Sequence, residues 1–161
     1  MPRNALTTHA LFGAAGVSEH WAWKALKAGV IHEPHFEEDV VALRVYACVA
    51  QIAWPGEKRP RSAKQQLELW QALAVNTARE ALSDPATTRN TTMWVLPDGV
   101  QLATTAGQRA ALELDVLSER SAFRIPIGLW IAELPDTLEK MPKSRHRRAS
   151  KSATKKAASE T

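Results

Sequence analysis

Cysteine is almost missing: Cys48 stands alone, which excludes an intramolecular disulfide and any metal site built from several thiolates. A reducing compartment follows as the default, and the expected location is cytoplasmic, on the nucleoid if the cell is bacterial. No apolar run approaches the roughly 18 residues that cross a bilayer. Met1-Pro2-Arg3-Asn4 lacks the apolar stretch of a signal peptide. There is no glycine-rich phosphate loop, no opposed pair of catalytic carboxylates and no internal repeat. His32 and His35 flank Glu33-Pro34 without a convincing third ligand, and Ser18 near His20 is explained as a helix cap. Neither an enzyme, a cofactor nor a metal site is expected.

What is there is charge, unevenly placed. The chain carries +4 overall, but from Lys140 onward eight Lys and Arg residues face a single Glu160. That stretch holds +7, so the remainder is at −3. Residues 136–161 have too little apolar surface to offset the entropy of ordering and are expected to be a disordered basic tail.

Hydrophobic content of 45% over 161 residues allows one medium core or two small ones. The pattern predicts an α+β chain, mainly α with a small β part. A Thr cap at Leu6-Thr7-Thr8 precedes a helix over His9–Ala15, and Gly16 supplies a left-handed turn. Ser18 caps a second helix, Glu19–Ala28, which Gly29 ends. Pro34 breaks the connection, and Glu37-Glu38-Asp39 opens a third helix that runs to about Ala53 with Val40, Leu43, Ala47 and Ala50 as its buried stripe. Residues 55–62 read as a linker. A fourth helix is predicted over Ala63–Leu82, then strands Thr92–Leu96 and Val100–Thr104 around the Pro97-Asp98-Gly99 turn. A helix over Gly107–Glu119, a strand Phe123–Ile127 and a short helix Gly128–Leu134 ended by Pro135 complete a ββαβα-like module. The expected units are 5–54 and 63–135.

The blocks Ala15-Gly16-Val17-Ser18, Gly29-Val30-Ile31 and Phe36-Glu37-Glu38-Asp39-Val40-Val41-Ala42-Leu43-Arg44 carry the most information. Their spacing resembles the MerR-type and excisionase-like winged helix-turn-helix superfamily over residues 5–53, about a third of the chain. The resemblance implies a helix laid in a DNA groove. Two departures stand out. Four residues without Arg or Lys separate Ile31 from Phe36, so the wing is short and its usual arginine has no counterpart. Trp23 stands where the family's second helix usually has an arginine.

On that second helix Ala22, Ala25 and Leu26 should face inward with Val30. His20, Trp23, Lys24 and Lys27, spaced i, i+3, i+4, i+7, should face out. Lys24 and Lys27 suit phosphates or guanine edges, His20 can donate when protonated, and Trp23 can pack on sugars or a thymine methyl. Trp21 reads better as filler for the shortened wing, and Trp23 suits either role. The candidate DNA-binding set is Ser18, His20, Trp23, Lys24, Lys27, linker residues Lys58, Arg59 and Arg61, and tail residues Arg145, Arg147 and Arg148. A solubilising terminus is the weaker alternative for the tail, because its charge opposes that of the slightly acidic body. Leu67, Trp70, Leu73 and Ala74 form a candidate dimerisation face, although Trp70 could instead pack under the hairpin of its own chain. Trp94 and Trp130 are expected to seed the C-terminal core.

The expected function is sequence-specific binding of double-stranded DNA by a homodimer, as a transcriptional regulator or a mobile-element accessory factor. Residues 63–135 offer a surface for a protein partner. The alternatives are a protein-interaction adaptor that no longer binds DNA, and a centromere-binding or DNA-packaging protein.

Overall fold

The first helix begins at Thr8, one residue before the predicted start, with Thr7 as its cap. Thr7 is extended, and its hydroxyl accepts from the Ala10 amide at 3.1 Å. In the computed structural model, which describes residues 3–56, 67–115 and 120–141, α1 spans Thr8–Ala15 and α2 spans Glu19–Lys27. Both end in the same way. Gly16 and Gly29 are left-handed at φ 67° and 73°. Gly16 and Val17 amides bond the Gly13 and Phe12 carbonyls, and Gly29 and Val30 amides bond those of Leu26 and Ala25. These are paired Schellman closures, and they need a residue without a Cβ at the turn.

α3 spans Glu37–Val49, four residues shorter than predicted at its C-terminus. Its final amides shift to i→i−3 bonds, Gln51 to Cys48 and Ile52 to Val49, and Pro55 then disfavours helical backbone at Trp54. The predicted stripe was too narrow. Val40, Leu43 and Ala47 are buried, but so are Val41, Ala42, Val45, Tyr46 and Val49. α3 is wrapped by α1 and α2 on one side and by α4 on the other, and its pairing with α4 (Leu69–Ser83) is the most extensive in the molecule. One contiguous core therefore runs from Leu11 through α3 and α4 to Ile127 and Leu134. The expected units 5–54 and 63–135 share it.

α4 starts at Leu69, not near Ala63. The Glu68 amide donates to the Gln71 side chain at 3.0 Å, closing a capping box that fixes the first turn. The β strands β1 (Thr92–Leu96) and β2 (Gly99–Ala103) form the predicted hairpin, with Leu96 paired to Gly99 across Pro97-Asp98. α5 (Ala106–Asp115) then crosses to β3 (Phe123–Ile125), giving an antiparallel sheet of order β2-β1-β3. Residues 116–119 of the predicted helix lie outside the described residues. Met93, Val95 and Ile125 point into the core. Trp94, expected to seed it, is buried on the opposite face with Thr92 and Leu96 and does not join the contiguous core.

β3 ends at Ile125 because Pro126 caps α6, which runs Ile127–Lys140 straight through Pro135. The predicted stop fails for a physical reason. Pro135 is exposed, while Leu134 is 4% exposed and Leu138 half-buried against the core, so packing outweighs the missing backbone bond. The helix thus takes in the first five residues of the predicted tail, 136–140. The tail residues from 142 lie outside the described residues.

Candidate nucleic-acid interface

α2 separates its faces cleanly. Ala22 and Ala25 are fully buried, Val30 nearly so and Leu26 partly. The small alanines let α2 sit close to α1 and α3. The other side shows His20, Trp23, Lys24 and Lys27, all exposed, with Trp23 at 54%. Among the described residues the ion pairs are Arg3–Glu38, Arg79–Asp39 and Arg120–Asp98, none of which uses Lys24 or Lys27.

Ser18 sits at the N-cap with extended backbone, yet its hydroxyl makes no capping bond. That corrects the sequence reading: the position is a cap, and the side chain makes no use of it. Trp23 donates its indole N–H to Glu19 across one turn at 3.1 Å. Glu19 is thus a negative charge on an otherwise cationic face. Trp21 is the packing tryptophan. It meets Tyr46 edge-on at 6.1 Å, wedging between α2 and α3, and holds Lys24 Nζ 5.0 Å above its ring.

The short connection after α2 forms no hairpin. The Leu6 amide bonds the His35 carbonyl at 2.7 Å as an isolated antiparallel bridge, and the Glu33–Pro34 bond is cis. Leu6, Thr7, Thr8, Glu33, Pro34 and His35 line an open depression at this place. His35 is 1% exposed and its Nε2 meets the Thr8 hydroxyl at 3.2 Å, whereas His32 is exposed. No group of three His, Cys, Asp or Glu that could hold a metal occurs among the described residues.

The candidate dimerisation set divides. Trp70 and Ala74 are buried in the core of their own chain, and Leu67 is partly buried. Trp70 packs edge-on against Trp54 at 5.4 Å, and its indole N–H donates to Glu68. It does not form an outer face. Leu73 is 39% exposed, and its neighbour one turn back, Leu69, is 77% exposed. Of this i, i+4 pair only Leu73 belongs to the candidate set; Leu69 falls outside it because Trp70 draws the apolar stripe toward itself. Lys58, Arg59, Arg61, Arg145, Arg147 and Arg148 lie outside the described residues.

Two residues that sequence reasoning did not nominate join α2 to the rest. Asp39, read only as one of three acidic residues at the start of α3, is 6% exposed. Its Oδ2 accepts from the Phe36 amide at 2.8 Å, and its Oδ1 accepts from Arg79 Nη2 at 2.9 Å. The same Nη2 donates to the Val30 carbonyl at 2.7 Å. Asp39 stands three residues after the N-cap, a position whose spacing alone could have flagged it. Nothing in the sequence marks Arg79.

Behind α3, the Arg44 guanidinium lies 4.0 Å above the Trp130 ring of α6. Burial lowers its pKa, partly offset by Cys48 and Glu133. Burial pushes the Tyr46 phenol up from 10.0, and it pushes the Cys48 thiol up from 9.0 against the opposing pull of Arg44. Both groups stay protonated in the folded chain at pH values where the unfolded chain has ionised. The unfolded state then binds fewer protons, so the stability these two groups contribute is complete below their unfolded values and is lost as pH rises through the folded ones. Melting temperature measured from about pH 8 to 11 should drop more steeply for the wild type than for Cys48→Ala/Tyr46→Phe. Parallel slopes would contradict this.

Compared with family models, with curated proteins and with solved structures, the chain matches none. No described helix is long and apolar enough to cross a membrane.

Proposed function

We propose that this chain binds double-stranded DNA by presenting the exposed face of α2 to the major groove, as a helix-turn-helix with an abbreviated wing. One observation carries the reading: α2 buries Ala22 and Ala25 while His20, Trp23, Lys24 and Lys27 stand exposed, with neither lysine held in an ion pair among the described residues. The left-handed Gly16 turn supports it, since it brings α2 directly off α1. The resemblance of residues 5–53 to MerR-type and excisionase-like domains points the same way. The chain acts as a homodimeric regulator or mobile-element accessory factor in a reducing compartment. Two copies of α2 then enter grooves one helical turn apart, and the exposed Leu69 and Leu73 offer a contact between copies.

Selection from a random duplex pool supplies the site. On that site Lys24→Ala/Lys27→Ala should weaken binding roughly a hundredfold or more, because each base-edge contact contributes about 1–3 kcal/mol. The melting temperature should hold, since both side chains are exposed. Retained site-specific affinity would sink the assignment.

Removing residues 142–161 takes away seven Lys and Arg. The slope of log affinity against log salt should become shallower by about 0.9 for each phosphate that the tail neutralises. An unchanged slope would show that the tail does not touch phosphate.

A protein-interaction adaptor is the second reading, favoured by Trp23. A half-exposed tryptophan bonded to Glu19 suits a protein hot spot as well as a sugar. A pool that yields no enriched duplex would favour it.

A further inference from the structure

The bonds around Arg79 form a closed chain. The Ala25 carbonyl of α2 accepts from the Val30 amide at 2.9 Å. The Val30 carbonyl accepts from Arg79 Nη2, which also reaches Asp39 Oδ1, and Asp39 Oδ2 holds the Phe36 amide at the start of α3. The two ends of the α2–α3 connection are therefore tied to one guanidinium on α4. Val30 and Asp39 are both buried, so these bonds act where water competes little. We infer that Arg79 is a positioning residue for α2: it fixes the angle at which the His20–Lys27 face is presented, acting through the Val30 carbonyl.

The inference rests on the proposed reading of α2 and deepens it. The buried face of α2 is made of two alanines, which permit close approach but interlock little. Trp21 against Tyr46 steadies the first turn of the helix. Toward the C-terminal end, partly buried Leu26 packs against the core and Val30 carries the bond to Arg79. A residue read in sequence as part of a separate module thus governs how the proposed recognition helix is aimed. Groove contacts are sensitive to small misplacements, because bidentate contacts to base edges have fixed geometry.

A purely structural role for Arg79 would be to neutralise buried Asp39. The two roles separate in a pair of variants. Arg79→Met removes both bonds and leaves Asp39 uncompensated. Asp39→Asn/Arg79→Met removes the stranded charge while keeping an acceptor for the Phe36 amide, and leaves the Val30 carbonyl untied. The double variant should recover most of the drop in melting temperature. Its Gly29 and Val30 amides should still exchange with solvent roughly tenfold faster than in the wild type, while the corresponding Gly16 and Val17 amides keep their rates. On the selected duplex, its ratio of specific to non-specific affinity should remain reduced by roughly tenfold, with an unchanged salt slope. Arg79→Lys, which keeps a donor in reach, should restore much of both.

Wild-type exchange at Gly29 and Val30 in the double variant would overturn the inference, as would specific affinity that returns together with melting temperature. Should the wild type show no preference for any duplex, the DNA reading fails. The exchange rates then still decide whether Arg79 holds α2.

Discussion

Gly128→Ala should leave the chain without a stable native state. A Cβ built at Gly128 would lie 2.0 Å from the Thr88 carbonyl oxygen, 2.7 Å from the Thr91 nitrogen and 2.9 Å from the Thr91 oxygen. All three are backbone atoms of the turn before β1, which is pinned by bonds from the Thr91 amide to the Thr88 carbonyl and from the Thr88 amide to the Thr91 hydroxyl. No flexible side chain is available to yield. α6 would have to lift away, breaking the Gly128 amide bond to the Thr91 carbonyl at 2.9 Å and unseating the fully buried Ile127. Overpacking a core commonly costs about 1–3 kcal/mol, and a clash against fixed backbone should exceed about 4 kcal/mol. That is most of the stability of a marginal domain. Gly107→Ala is the control. It lies in α5, where the nearest atom to an added Cβ is the Thr105 hydroxyl at 4.0 Å, so it should stabilise slightly. Urea unfolding of the two variants checks this, and a Gly128→Ala midpoint close to wild type would show that α6 does not seat so tightly.

Asp39→Ala is the second large effect. It removes the acceptor for the Phe36 amide and strands Arg79, whose side chain is only 29% exposed. Losing a cap costs about 0.5–2 kcal/mol, and breaking a buried pair from one side about 3–5 kcal/mol. Because the guanidinium keeps the Val30 carbonyl, the sum should settle at about 3 kcal/mol. Glu38→Ala, one residue away, breaks the Arg3–Glu38 pair, in which Arg3 is 69% exposed, and should cost almost nothing. Denaturation midpoints for the two variants should differ widely. Equal midpoints would mean that Asp39 contributes as a surface charge only.

The contrast between these neighbours shows where sequence reading reaches its limit. Among Glu37, Glu38 and Asp39, spacing from the cap could single out Asp39 for the Phe36 amide, but only the three-dimensional position of α4 brings Arg79 to it. Local signals were legible because their physics is local. Thr7, Gly16, Gly29 and the Pro97-Asp98 turn each act within a few residues, and each fell where predicted. The inward and outward faces of α2 were equally legible, since helical period alone sorts Ala22 and Ala25 from Trp23 and Lys24.

What sequence could not convey depended on neighbours. The wide burial of α3 follows from α4 covering its second side, which no periodicity within α3 announces. Pro135 stays helical because Leu134 and Leu138 pack beneath it. Trp70 and Ala74 suggested an outer face, and the partner they met was Trp54 and α3 of the same chain. The Ser18 hydroxyl shows the reverse error: the residue type suited a cap, and the bond was not made.

α3 is a party wall, with α2 leaning on one side and α4 on the other. Two units joined by a hinge can pass a signal by swinging one against the other. Here α2 and α4 close on the same buried helix and leave no gap to open. A push on α4 reaches α2 by two routes, through the packed α3 and through the Arg79 bond to the Val30 carbonyl, so a response is a small rotation shared by all three helices.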